Sequence, residues 1–185
     1  MMNITGLINL MILGVMLAGV PMMGGCSDNT ITWTEEVKLQ DGRIIIVNQK
    51  RRIEQGKMPR ESWLTFTLPG FGDKAIVWHE SLETQVLNVY KGKLYVVGIP
   101  FTEESFRQYG KPYPEYVPYR YEGKNWIRIP FSEVPVEIYD TNMYFENITL
   151  HKPKYVSLAD KAKMLMDDRY IPAQKRMTPT FKTSH

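Results

Sequence analysis

Ile31-Thr32-Trp33-Thr34-Glu35-Glu36-Val37-Lys38-Leu39-Gln40-Asp41-Gly42-Arg43-Ile44-Ile45-Ile46-Val47 is the stretch that decides the fold. Ile31, Trp33, Glu35, Val37 and Leu39 fall on one side of an extended chain, and Thr32, Thr34, Glu36 and Lys38 on the other. A period of two over this length marks a strand with one face turned to a core. Asp41-Gly42 then separates two apolar runs. Such a step favours a tight hairpin, because glycine accepts positive φ without a Cβ clash.

The same grammar recurs downstream. Val86 to Val97 reads as a second hairpin about Lys91-Gly92, and Val117 to Ile129 as a third about Glu122-Gly123. Further strands are predicted at Trp63 to Leu68, Ala75 to His79, Val136 to Tyr139 and Tyr144 to Leu150. Gly42, Gly92 and Gly123 share no fixed spacing, so these are similar hairpins and not a repeat array. Two helices are predicted. Thr102 to Tyr109 opens on a capping threonine and two acids and stops at Gly110. Ser157 to about Arg169 opens on a capping serine with Asp160 at the third helical position, and Leu158, Ala162, Leu165 and Met166 form its apolar stripe. The expected fold class is mainly β: antiparallel hairpins in a sandwich, a meander or a partial propeller-like sheet, with one C-terminal amphipathic helix.

The chain has 185 residues, 43% hydrophobic, 23% charged and 12% aromatic, with a formal charge of +3. This profile excludes a disordered chain, a collagen-like chain, a polytopic membrane protein and a histone-like polycation. A single cysteine excludes a disulfide scaffold and a cysteine-rich zinc site. The charges are unevenly spread, however. Residues 1–27 carry no charged side chain, and all 22 aromatics follow Cys26. Ile4 to Val20 is almost purely apolar, which is the layout of an export signal.

That segment ends in Met23-Gly24-Gly25-Cys26-Ser27. The ending resembles the lipobox of bacterial lipoproteins, with Met23 where leucine is usual. The resemblance implies that Cys26 becomes the acylated first residue of the mature chain, anchored by several acyl chains. It also implies sorting to the outer membrane, on its periplasmic side, because Ser27 and not aspartate follows the cysteine. The alternative is an uncleaved signal anchor, since about 20 apolar residues can span a bilayer. The run Trp33-Thr34-Glu35-Glu36-Val37-Lys38-Leu39, followed by Asp41-Gly42-Arg43, is similar to proteobacterial lipoproteins of unknown function, and that likeness imports no activity. The expected organisation is a signal peptide at 1–25, a short linker at 26–30, one β-rich domain at 31–172 and a flexible basic tail at 173–185.

Residues that could carry chemistry are sparse. His79 stands beside Glu80, but neighbours on a strand point to opposite faces. His151 and His185 complete no metal-binding spacing. No Gly-x-Ser-x-Gly elbow occurs, and Gly70-Phe71-Gly72 lacks the rest of a nucleotide fingerprint. No catalytic residue, metal site or cofactor is assigned. The densest feature is Tyr109 to Tyr121, with five tyrosines and three prolines. Tyr113, Tyr116, Tyr119 and Tyr121 form a candidate binding surface for sugar rings or a protein partner, unless their rings cover the domain's own sheet. From Lys152 onward eight basic residues oppose three acids. Such a tail could meet anionic headgroups or cell-wall polymer, or simply remain solvated.

Three functions follow as expectations. The first is a lipid-anchored envelope protein acting as a non-catalytic binding or structural module. The second is an envelope hydrolase with an unrecognised site. The third is a glycan or cell-wall binder using the loop at 109–121. Expected partners are membrane lipid through Cys26 and the cell wall or an envelope protein, with no nucleic acid.

Overall fold

The computed structural model describes residues 29–54, 59–145, 153–167, 169 and 172–182. Cys26, the expected signal segment, His151 and His185 lie outside them. Among the described residues nine strands form two sheets. The first contains β1 (Thr30–Lys38), β2 (Ile44–Ile53), β3 (Pro59–Phe66), β4 (Ile76–Glu80) and the two-residue β9 (Tyr155–Val156), in the order β4-β3-β2-β1-β9. The second runs β5 (Leu82–Tyr90), β6 (Lys93–Pro100), β7 (Val117–Glu122), β8 (Asn125–Arg128). All pairings are antiparallel except that of β9 with β1. Of the three architectures open at the sequence level, the chain adopts the sandwich. Val37, Val47, Leu64, Phe66 and Trp78 of the first sheet share one core with Leu82, Leu87, Leu94, Val96 and Val117 of the second.

The two sheets differ in what covers them. In the first, Trp33, Glu35, Val37 and Leu39 point inward, while Thr32, Lys38, Asn48, Lys50, Val77 and His79 are exposed on the outer face. That one-sided burial explains the clean alternation of β1 and β2. The second sheet is buried on both faces along β5, β6 and the start of β7, while β8 is largely exposed. Val86, Tyr95 and Val97 pack outward against Tyr116, Ile129, Val134, Ile138, Met177 and Phe181. Its strand β6 is therefore a continuous apolar run over Leu94 to Val97 and not an alternating one.

Strand β5 changes face along its length. Its pairing with β6 shifts between Thr84 and Val86, so Leu82 points into the sandwich before the bulge and Leu87 and Val89 after it. One extra residue inverts the side-chain parity of the rest of a strand. The Gln85 carbonyl at the bulge accepts the N–H groups of Asn142 and Met143 (3.2 and 3.3 Å). The turns of the three hairpins gather at the end of the sandwich opposite to Thr30. Gln40 donates its N–H to Asn88 (2.6 Å), and Trp126 donates Nε1–H to the Val77 carbonyl (2.8 Å), joining the sheets there.

Both expected helices form. Helix α1 (Glu103–Gln108) is capped by Thr102, and α2 (Leu158–Met166) by Ser157 in a reciprocal box with Asp160. Two expectations are corrected. Val136–Ile138 is a 3₁₀ turn and not a strand, because Pro135 sets its start and Ile138 alone turns inward. The tail at 173–185 is not loose in its described part. Met177 and Phe181 are buried against the second sheet, Thr141 N–H donates to the Lys175 carbonyl (3.1 Å), and Arg176 pairs with Asp140. Two apolar residues four apart were too thin a pattern to reveal this. Of the expected strand Tyr144 to Leu150, only Tyr144 and Phe145 are described, and they are buried outside any strand.

The inner face of β1 carries a charge. Glu35 is fully buried and accepts from the Lys161 ammonium, the Gln49 amide and the Tyr144 N–H (2.9 Å). Burial pulls the Lys161 ammonium below the ordinary lysine value, and the Glu35 carboxylate pushes back. Removing one partner of such a pair strands the other charge. Lys161→Met is expected to lower the unfolding free energy by about 3–5 kcal/mol in chemical denaturation. Glu104→Gln, which breaks the exposed pair with Arg60, should change it by less than ~1 kcal/mol. Gly98 supplies a second test, since an added Cβ would lie 2.8 Å from Leu82 Cβ and 3.0 Å from the Glu83 carbonyl oxygen. Gly98→Ala should cost about 1–3 kcal/mol, read from the denaturation midpoint at unchanged slope.

Candidate functional site

The Tyr- and Pro-rich stretch leaves α1 at Tyr109-Gly110 and climbs into β7. Its four nominated tyrosines do not share a surface. Tyr119 and Tyr121 point into the sandwich from β7, Tyr119 only 6% exposed. Tyr116 lies on the other side of the sheet, 2% exposed, between Phe131 (centroids 5.1 Å apart) and Phe181 (5.0 Å). Only Tyr113 stands out, 63% exposed, with the Lys182 ammonium 5.3 Å from its ring centroid. The row of tyrosines expected from the sequence is thus divided between two cores and solvent. Strand parity and the abrupt start of β7 separate residues that the sequence places side by side.

A groove of about 560 Å³ opens at this place, between the segment Pro112–Pro118 and the turn Arg128–Ser132. Tyr113, Pro114 and Pro118 form one wall, Phe131 and Tyr139 the other, with Pro179 at the edge. The Tyr113–Pro114 peptide bond is cis. The rings of Phe181, Tyr116 and Phe131 stack in succession, and Tyr139 is tilted against Phe131. Arg128 sits at one end. Its Nη2 donates to the Tyr109 carbonyl (2.7 Å), and its guanidinium lies 5.6 Å from the Tyr109 ring centroid. No carboxylate pairs with Arg128 or Lys182 among the described residues. Sequence reasoning passed over Arg128, Phe131 and Tyr139, because their neighbourhood with Tyr113 arises only when β8 folds back on β7.

The histidine expectations resolve simply. Glu80 turns away from His79 and accepts the Tyr109 hydroxyl (2.7 Å). His79 lies instead on the open face of the first sheet, stacked on Trp63 (centroids 4.2 Å apart, 9° between planes) and 3.9 Å from Glu61. The Arg52 guanidinium, hydrogen-bonded to Glu61, holds that carboxyl below the usual range against a smaller opposing effect of burial, and His79 adds to the lowering. Ser62 faces inward and donates to the Leu82 carbonyl (2.6 Å), so it does not join His79. Among the described residues no group of three or more His, Cys, Asp or Glu side chains is placed to hold a metal ion. No helix among them is long and apolar enough to cross a membrane.

No family model, curated protein or solved structure matches the chain.

Burial governs the acid–base behaviour of the tyrosines. It raises Tyr109 and Tyr119 well above the usual phenol range, helped in both by the Glu80 carboxylate. Burial likewise pushes Tyr116 up to about 12, offset by hydrogen bonds from Thr178. These phenols bind protons more tightly folded than unfolded, so their contribution to stability is intact below pH ~10. It should be lost as the pH rises from there toward about 12 and beyond. A spectrophotometric alkaline titration should record delayed tyrosinate absorption that appears together with loss of the folded circular dichroism signal. Early, normal ionisation of all the tyrosines would contradict the burial.

Proposed function

We propose that this chain is an exported lipoprotein, anchored through acylated Cys26 to the periplasmic side of the outer membrane, whose β-sandwich is a non-catalytic binding or structural module. The observation that carries the reading is the charge-free apolar segment ending in Gly24-Gly25-Cys26, set four residues before Thr30, the first residue of β1. The chemistry of the small residues supports it, since the processing enzymes must reach an extended backbone beside the thiol. Acylation also accounts for a lone cysteine in an exported chain. Four residues reach at most about 14 Å, so the sandwich would rest directly on the membrane. Its Thr30 end would face the lipid, and the hairpin turns about Gly42, Gly92 and Gly123 would face outward into the periplasm.

Radiolabelled palmitate should enter the full chain in cells, and Cys26→Ala should abolish the label and leave an unprocessed precursor. Normal processing of Cys26→Ala would refute the anchor. Membrane fractionation should recover the mature chain with the outer membrane, and recovery with the inner membrane would refute the sorting by Ser27.

A further inference from the structure

We propose that the groove between Pro112–Pro118 and Arg128–Ser132 binds an extended, proline-rich peptide carrying a carboxylate beside its prolines. This rests on the domain being a binding module and is independent of whether Cys26 is acylated.

The groove's volume, about 560 Å³, lies within the range of ligand sites. Its walls are rings, namely Tyr113, Phe131 and Tyr139 with several prolines. Rings offer wide contact at small entropic cost, because each has few rotatable bonds or none. The polar side chains around it are unbalanced. Arg128 and the hydroxyls of Ser132, Tyr113 and Tyr139 can donate hydrogen bonds, and no carboxylate or carboxamide lines the groove. A fitting ligand supplies acceptors and asks for few in return. A proline-rich segment does this, since each proline has a carbonyl and no N–H.

Proline-rich segments are moreover preformed as polyproline II, so docking on an aromatic groove costs little ordering entropy. Charge completes the match. The Arg128 guanidinium lines the groove and the Lys182 ammonium lies beside the Tyr113 ring, both with no carboxylate partner among the described residues. A guanidinium that already donates from Nη2 to the Tyr109 carbonyl keeps further N–H groups for an incoming carboxylate. The exposed Tyr113, with the Lys182 ammonium beside its ring, is the anchoring residue for the peptide's rings.

The test uses the full chain purified in detergent micelles and a fluorescent oligoproline peptide ending in glutamates, followed by anisotropy. Saturable binding is expected, weaker at higher salt. Tyr113→Ala should weaken it by about fivefold or more, the scale of an interface anchor, and Lys182→Glu should weaken it and flatten the salt dependence. Both positions are exposed, and unchanged melting curves would exclude misfolding as the cause. A glycine–serine peptide with the same glutamates should not bind. The proposal is overturned by absence of saturable binding, by equal binding of the glycine–serine peptide, or by indifference to Tyr113→Ala. It is equally overturned if chitooligosaccharides or peptidoglycan fragments occupy the groove and the peptide does not. Palmitate labelling of Cys26 is read separately, so failure of the groove and failure of the anchor are distinguishable.

Discussion

A carboxylate with no access to water must be surrounded by donors, and Glu35 imposes that requirement on three other parts of the chain. It lies midway along β1, with Val37 and Leu39 on the same inward face. Its partners come from β2 through Gln49, from the loop after the 3₁₀ turn Val136–Ile138 through the Tyr144 N–H, and from α2 through Lys161. Lys161 in turn donates to the Asn142 carbonyl (2.7 Å). Asn142 bridges the sheets, donating to the carbonyls of Lys38 and Leu87. The helix, the loop and both sheets are therefore registered against one buried charge. Unlike apolar contact, this interaction is directional, so it specifies one arrangement of the C-terminal half.

The two sheets then serve different ends. The first keeps one face open, where Lys50, Trp63 and His79 lie directly opposite one another on three neighbouring strands. The Trp63 ring is occupied by its neighbours there, His79 stacked on it and Lys50 4.7 Å from its centroid. The second sheet is covered by the 3₁₀ turns Phe131–Glu133 and Val136–Ile138 and the chain from Met177 to Phe181. A groove opens in that covering layer between the segment Pro112–Pro118 and the turn Arg128–Ser132.

Much of this was legible beforehand. The first hairpin follows from the period of two around Asp41-Gly42, and both helix starts from Thr102 and Ser157, because these are contacts between near neighbours. The candidate surface was only partly legible. Five tyrosines within 13 residues marked the right region, yet Tyr116 and Tyr119 sit on opposite sides of one sheet. Density in sequence carries no information about face once a strand begins.

By itself the sequence determined the β-rich class, the hairpins, the caps and the abrupt change of composition at Cys26, since each is written in spacing and residue type over a few positions. Only the tertiary structure decided the sandwich, the bulge at Gln85, the burial of Met177 and Phe181, and the meeting of Tyr113 with Arg128 and Phe131. These depend on contacts between residues far apart in the chain. Their energies are settled by packing complementarity and by the need to satisfy buried polar groups, and no local pattern encodes either.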